Sequence, residues 1–173
     1  MAGTLEGVRI IDFGQYIAGP LAGMLLADQG ADVIRVDPPG GPMWDTPANA
    51  TWNRGKRSIV LDLKTDDGIE TAKKLIASAD VVLENFRPAV MDKFGLGAEA
   101  MTSANLRLIY CSMPGFAADD PRSELAAWEG VVGAATSTYL TTPVGDAPGT
   151  DSRRPTYTAL PISSSYAAFL GTV

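Results

Sequence analysis

Short apolar runs alternate with helix-like patterns over most of the chain, and this alternation constrains the fold more than any other feature. Residues 8–13 (VRIIDF) are rich in branched side chains and are typical of a buried parallel strand. Pro20 suits the first turn of a helix that runs through residues 21–27 and stops at Gly30. Residues 33–36 predict a second strand, so the chain opens with a strand, a helix and a strand.

The same alternation continues to about residue 111. Thr65 can cap a helix whose apolar positions fall on one face. Further strands are predicted at residues 58–63, 79–83 and 106–111, and helical segments at 90–94 and 98–103. Such a series predicts an α/β fold: an open, mostly parallel sheet with helices on both faces.

The remaining segments are less regular. Residues 38–55 and 143–155 are rich in Gly, Pro and Asp and predict long loops, whereas residues 126–138 favour a helix. Residues 163–173 predict a helix that continues to the last residue. Its predicted apolar face carries Tyr166, Phe169, Leu170 and Val173. We therefore expect this chain to be a piece of a larger domain that ends inside a helix.

Composition excludes several classes of function. Fourteen Lys and Arg residues face twenty Asp and Glu residues, and the net charge of -6 is the wrong sign for a nucleic-acid-binding protein. The chain has no histidine, which excludes histidine-assisted nucleophiles and zinc sites built on imidazole. We expect no metal and no membrane span. The single Cys111 cannot form an internal disulfide and no signal-peptide core is visible, so we expect a cytoplasmic protein.

The turn after the first strand contains Gly14 and Gly19. Their spacing does not match the dinucleotide fingerprint, and Pro20 stands where a phosphate-binding loop needs lysine. The alternative is that these glycines permit a tight turn and close packing.

Cationic and amide side chains follow two of the predicted strands. A basic cluster, Arg54, Lys56 and Arg57, either attracts anions or is solvated charge, and Lys64 lies at the carboxyl end of the third strand. The run 85–87 (NFR) follows the fourth strand, where an amide, an aromatic ring and a guanidinium can hold an adenine and a phosphate. Parallel sheets bind ligands at this edge.

Glu129 is the candidate reactive carboxylate. It follows Trp128, and partial desolvation by the indole would raise its pKa. The alternative is an exposed helix residue. Cys111 ends an apolar strand and is expected to be a packing residue with a raised pKa.

Four segments, taken in order, resemble the family III CoA-transferases, the group that includes formyl-CoA transferase, carnitine CoA-transferase and alpha-methylacyl-CoA racemase. They are LEGVRIIDFGQYIAGPLAGMLLADQGADVIRVDPPGG, NRGKRSIVLDLKTDDG, ADVVLENFRPAVMDKFGLG and LRLIYCSMPGF. The resemblance implies that residues 1–173 are the N-terminal part of a Rossmann-like large domain. It also implies a longer chain that forms an interlocked homodimer and acts on acyl-CoA and carboxylic acids.

The resemblance further implies a set of CoA-binding positions along the carboxyl edge of the sheet. Gln15, Tyr16 and Ala18 fall near the thioester. Those expected near the adenine and phosphates are Leu61, Lys64, Asn85, Phe86, Arg87, Val90 and Lys93.

The chain departs from the family at the nucleophile. In the transferases an aspartate attacks the acyl-CoA, and here Pro161 occupies that position. Glu129 matches an acidic family position and could substitute for the aspartate. Two hypotheses follow: an enzyme that moves CoA between carboxylic acids, and a non-catalytic CoA-binding module or degenerate half of a larger fused CoA-transferase.

Overall fold

The computed structural model describes residues 3–44, 46–138, 141–143, 153–155 and 161–173. The strands are β1 (Arg9–Asp12), β2 (Asp32–Asp37), β3 (Arg57–Val60), β4 (Val81–Glu84), β5 (Ile109–Ser112), β6 (Thr141–Pro143) and β7 (Arg153–Pro155). The helices are α1 (Ala18–Asp28), α2 (Pro47–Trp52), α3 (Asp66–Ala77), α4 (Ala98–Ala104), α5 (Glu129–Ala135) and α6 (Ile162–Leu170), with a 3₁₀ helix at Asp92–Phe94.

Five strands form one parallel sheet in the order β3-β2-β1-β4-β5. Ile11 of β1 is in register with Ile34 of β2 on one side and Val82 of β4 on the other. The predicted α/β sheet is therefore confirmed. The strand order reverses between β1 and β4, and in open parallel sheets the crevice at such a reversal is where ligands bind.

Apolar side chains fill both faces of the sheet. On one face, Ile11 and Val82 pack with Ala72 and Ile76 of α3. On the other, the alternate residue Ile10 packs with Leu21 of α1 and with Ala168 of α6. The two layers of helices follow from the period of two along each strand.

Local signals set two of the helices as predicted. Thr65 caps α3 by accepting a hydrogen bond from the backbone N–H of Gly68 at 3.2 Å. Asp66 and Asp67 in its first turn complement the helix dipole. Helix α1 ends before Gly30, whose φ of 102° is a conformation that favours glycine.

Several predicted boundaries were wrong. Helix α2 lies inside the stretch predicted as a loop, and Pro47 at its start and Thr46 before it were the available signals. The segment at 90–94 forms only one 3₁₀ turn. Strand β5 begins three residues later than predicted, and Leu106 is 93% exposed. The predicted 143–155 loop lies largely outside the described residues; β6 and β7, at its ends, pair in antiparallel fashion.

Helix α6 ends at Leu170 rather than continuing to the last residue. The predicted apolar face is exposed: Tyr166, Phe169, Leu170 and Val173 all face solvent, whereas Ala168 is buried against α1. Small side chains allow α1 and α6 to approach closely, so the face of α6 that carries Ala168 is the one that packs against α1. In the described part of the chain, no helix is long and apolar enough to cross a membrane.

Candidate functional site

The turns that follow β1 and β4 meet at the carboxyl edge of the sheet. The backbone N–H of Gln15 donates to Oδ1 of Asn85 at 2.7 Å, and Nδ2 of Asn85 donates to the carbonyl oxygen of Gln15 at 2.9 Å. The side chain of Gln15 is buried, and its Oε1 has no hydrogen-bond partner among the described residues. The edge thus presents a fixed turn with an unused buried acceptor beside it.

Gly14 and Gly19 pack against each other in this turn. A Cβ on Gly14 would lie 2.5 Å from the Cα of Gly19 and 2.7 Å from Oδ1 of Asp12, so a side chain does not fit. A Cβ on Gly19 would also lie 3.4 Å from Oδ1 of Asn85. The packing interpretation of these glycines is confirmed.

Tyr16 connects the turn to helix α5. Its φ of 60° is unusual for a residue with a side chain, and such conformations persist only where the surroundings hold them. Its ring contacts that of Trp128 edge to face, with centroids 4.8 Å apart and an interplanar angle of 74°. Ala18 is buried at the start of α1.

Glu129 begins α5 and binds the first turn of α6. It accepts hydrogen bonds from the backbone N–H of Ser163 at 2.7 Å and of Ser164 at 2.9 Å, and from Oγ of Ser164 at 2.6 Å. Partial burial raises the pKa of Glu129, but the hydrogen bonds from the two serines outweigh it and the pKa lies below its usual range. The predicted rise in this pKa is therefore wrong, because the hydrogen bonds of the serines outweigh the effect of burial.

Pro161 stands immediately before α6, at its N-cap. Its side chain has no group that could act as a nucleophile or accept a hydrogen bond. The carboxylate of Glu129, which comes from α5, reaches the start of this helix.

Each member of the predicted basic cluster pairs with a carboxylate, which argues against a dedicated anion site there. The pairs are Arg54 with Asp28, Lys56 with Asp12, and Arg57 with Asp32. Arg57 and Arg9 hold the pKa of Asp32 below its usual range. These contacts join segments far apart in sequence, and no local pattern indicates them.

Leu61 and Lys64 follow β3, which is the outermost strand on one side of the sheet. Leu61 is half-buried against the core, and its N–H donates to the carbonyl oxygen of Asp37 at 2.9 Å. Lys64 is exposed. Three strand spacings separate β3 from β4, roughly 14 Å. The structure therefore does not bring these two residues next to Asn85.

The other predicted CoA-binding residues lie beyond β4. Phe86 is half-buried against the core, while Arg87 is exposed and its Nη1 donates to the carbonyl oxygen of Glu124 at 2.9 Å. Val90 is half-buried, and Lys93 is exposed on the 3₁₀ helix. This stretch presents two cations, at 87 and 93, on the surface of the carboxyl edge.

A cleft of about 230 Å³ opens beside Arg87, and two of its residues, Glu84 and Tyr110, were not predicted. Glu84 is buried at the end of β4, where burial raises its pKa, and its Oε2 accepts a hydrogen bond from the N–H of Phe86 at 2.7 Å. Burial also raises the pKa of Tyr110. The available signal was an acidic residue directly after the apolar run of β4.

Cys111 is half-buried, and burial raises the pKa of its thiol as predicted. Among the described residues, no group of three or more Cys, Asp or Glu side chains is arranged to hold a metal ion.

Comparison with protein families matches residues 5–173 to CoA-transferase family III. The chain is 46% identical over 167 residues to the CoA-transferase/lyase DddD of Marinomonas sp. The match covers 96% of this chain and 20% of that protein. It is 41% identical over 146 residues to the succinate–glutarate CoA-transferase of Agrobacterium fabrum, covering 74% of this chain and 36% of that enzyme.

A similar solved structure is that of an aspartate-to-alanine mutant of Rv3272 from Mycobacterium tuberculosis. Its TM-score is 0.87 at 32% identity, and the match covers 99% of this chain and 48% of that one. The chain thus spans about half the length of this structure and less of the curated relatives.

Proposed function

Because the chain belongs to CoA-transferase family III, we propose that it binds a CoA thioester along the carboxyl edge of its sheet and that the protein containing it transfers CoA between carboxylic acids. The observation that carries this proposal is the bond pair between Gln15 and Asn85. It joins the two segments of the family pattern that flank the crevice between β1 and β4, where open parallel sheets bind ligands.

Exposed cations on this edge support the assignment of the CoA phosphates. Arg87, Lys93 and Lys64 have no carboxylate partner among the described residues, in contrast to Arg54, Lys56 and Arg57, which are paired. A phosphate offers each cation a charge-assisted hydrogen bond. We assign the adenine and phosphates of CoA to the carboxyl ends of the strands, where these three cations lie. Leu61, Phe86 and Val90 are the proposed apolar contacts.

The thioester falls at the turn formed by Gln15, Tyr16 and Ala18, and Glu129 is our candidate for the reacting carboxylate. Its lowered pKa keeps it ionised at neutral pH, which attack on a thioester carbonyl requires. In that step a carboxylate oxygen bonds to the acyl carbon and the C–S bond breaks, so CoA leaves as the thiolate and a mixed anhydride remains. Hydrogen bonds to Ser163 and Ser164 must loosen for this to occur.

The experiment is a CoA-transfer assay on the full-length protein with succinyl-CoA as donor and a panel of carboxylates, including glutarate, as acceptors. Glu129→Gln should preserve CoA affinity and lower the transfer rate by orders of magnitude. Ser163→Ala and Cys111→Ala serve as matched controls and should change the rate little. Full activity of Glu129→Gln would reject the carboxylate assignment.

A second function is favoured by Pro161 and by the lengths of the relatives. The match covers 20% of DddD but 36% of the succinate–glutarate CoA-transferase, so DddD is considerably longer than the other enzyme. This supports the alternative of a non-catalytic CoA-binding half within a fused protein. We also propose that the full-length protein forms an interlocked homodimer and is cytoplasmic.

The sequence of the complete gene separates the two functions. A second copy of the family segments with an aspartate before the helix equivalent to α6 would favour the binding module. In that case Glu129→Gln would leave transfer intact, whereas replacing the downstream aspartate would abolish it.

A further inference from the structure

A buried ion pair lies directly beneath the turn that carries Gln15 and Tyr16. Nζ of Lys56 is 2.7 Å from Oδ2 of Asp12, and the two side chains are 1% and 0% exposed. Asp12 is the last residue of β1, whereas Lys56 precedes β3. Burying two charges is costly, and apolar residues of similar size often stabilise a fold as well or better. Stability alone therefore does not account for this pair.

Every donor of the ammonium group is engaged. Besides Asp12, Nζ of Lys56 donates to the carbonyl oxygen of Pro20 at 2.7 Å and to Oδ1 of Asn53 at 3.1 Å. The absence of a side chain at Gly23 provides the space for this ion pair, since a Cβ there would lie 2.8 Å from Oδ2 of Asp12 and 2.9 Å from Nζ of Lys56. One side chain thus ties β1 to the first turn of α1 and to the end of α2.

The pair reaches the site through the second oxygen of Asp12. Oδ1 accepts a hydrogen bond from the backbone N–H of Gly14 at 2.8 Å. The next residue, Gln15, is held by Asn85, and the one after it is Tyr16, in its left-handed conformation against Trp128. Lys56 is therefore linked by a continuous series of contacts to the residue that precedes Glu129.

We propose that Lys56 is a positioning residue: through Asp12 it holds the turn at residues 14–16 and the ring of Tyr16 in the geometry that transfer requires. This inference rests on the proposed function. Its structural part, the control of the contact between Tyr16 and Trp128, can be measured without activity.

The variants are chosen so that folding and positioning separate. Lys56→Met leaves the carboxylate of Asp12 buried and unpaired, which can prevent folding. The double variant Asp12→Asn/Lys56→Met removes both charges and keeps an amide oxygen for the N–H of Gly14. Lys73→Met is the matched control, because it removes a lysine from an exposed pair with Glu70.

The full-length protein is labelled with 5-fluorotryptophan, and the resonance of Trp128 is assigned by its loss in Trp128→Phe. In the double variant this resonance should shift or broaden, and kcat should fall at least about tenfold while KM for the acyl-CoA changes little, since small misplacements of reacting groups are costly. Lys73→Met should match the wild type in all three.

An unchanged Trp128 resonance in the folded double variant overturns the proposal, and so does an unchanged kcat or a rise in KM alone. If the wild type transfers no CoA to any acceptor, the proposed function fails instead. The resonance then decides by itself whether Lys56 positions the turn.

Discussion

The side chain of Asn85 and the backbone of Gln15 form hydrogen bonds in both directions, across 70 residues of sequence. One amide group thereby acts as both the donor and the acceptor that a neighbouring strand would supply. Because β1 and β4 end at this point, the bond pair fixes how the two turns of the candidate site face each other.

Asn85→Asp tests the energetic value of this bond pair. The carboxylate still accepts from the N–H of Gln15 but faces the carbonyl oxygen of Gln15 without a proton to donate. We expect the free energy of unfolding, measured with urea, to fall by about 1–3 kcal/mol. Asn105→Asp is the control, because among the described residues the side chain of Asn105 accepts from the N–H of Arg107 and makes no other hydrogen bond, and an aspartate can accept in the same way. Equal losses in both variants would count against the two-way bond.

Replacing Arg87 and Lys64 with alanine tests the phosphate assignment. Each charge-assisted contact that is lost should weaken CoA binding by about 1.5–3 kcal/mol, measured by calorimetry on the full-length protein. The two single variants should be measured as well, since the residues follow strands at different positions in the sheet. Lys73→Ala should bind as the wild type does. Unchanged affinity in a folded double variant would reject the assignment.

Gly14→Ala and Gly130→Ala test whether the first turn depends on close packing. A methyl group on Gly14 would collide with Gly19, and we expect a loss of about 1–3 kcal/mol in unfolding free energy. Gly130 lies in α5, where a Cβ meets nothing within 4 Å, so alanine there should be neutral or slightly stabilising. The packing account is wrong if Gly14→Ala is as stable as Gly130→Ala.

The lowered pKa of Glu129 predicts a pH-dependent contribution to stability. Its ordinary value is 4.5, and the folded value lies below this, so the unfolded chain binds the proton first as pH falls. The stabilisation is therefore fully present above about pH 4.5 and is lost as pH falls through the folded pKa. The difference in unfolding free energy between the wild type and Glu129→Gln should shrink over this range. A difference that stays constant with pH would contradict the charge-based account.

Much of the fold could be predicted because its signals are local. The strand runs, the Thr65 cap and the stop at Gly30 each depend on neighbouring residues, and all were found. The apolar face of α6 was misjudged because its own periodicity does not show which side meets α1; Ala168 is buried there and Leu170 is exposed.

The site was predicted less completely, because its contacts join distant segments. The segments around Gln15 and Asn85 were identified, but their mutual hydrogen bonds depend on strand order. Lys56 was grouped with its basic neighbours, although its partner Asp12 lies 44 residues earlier. Likewise, the hydrogen bonds that lower the pKa of Glu129 come from Ser163 and Ser164 of α6, and no local pattern near Trp128 indicates them.

Hydrogen–deuterium exchange of the full-length protein with and without CoA tests the central claim most directly. Binding along the carboxyl edge should slow exchange in peptides that cover residues 14–18 and 85–93. Peptides at the opposite edge, residues 5–9 and 106–109, should exchange as before. Protection confined to the opposite edge, or no protection at either edge at saturating CoA, would contradict the account.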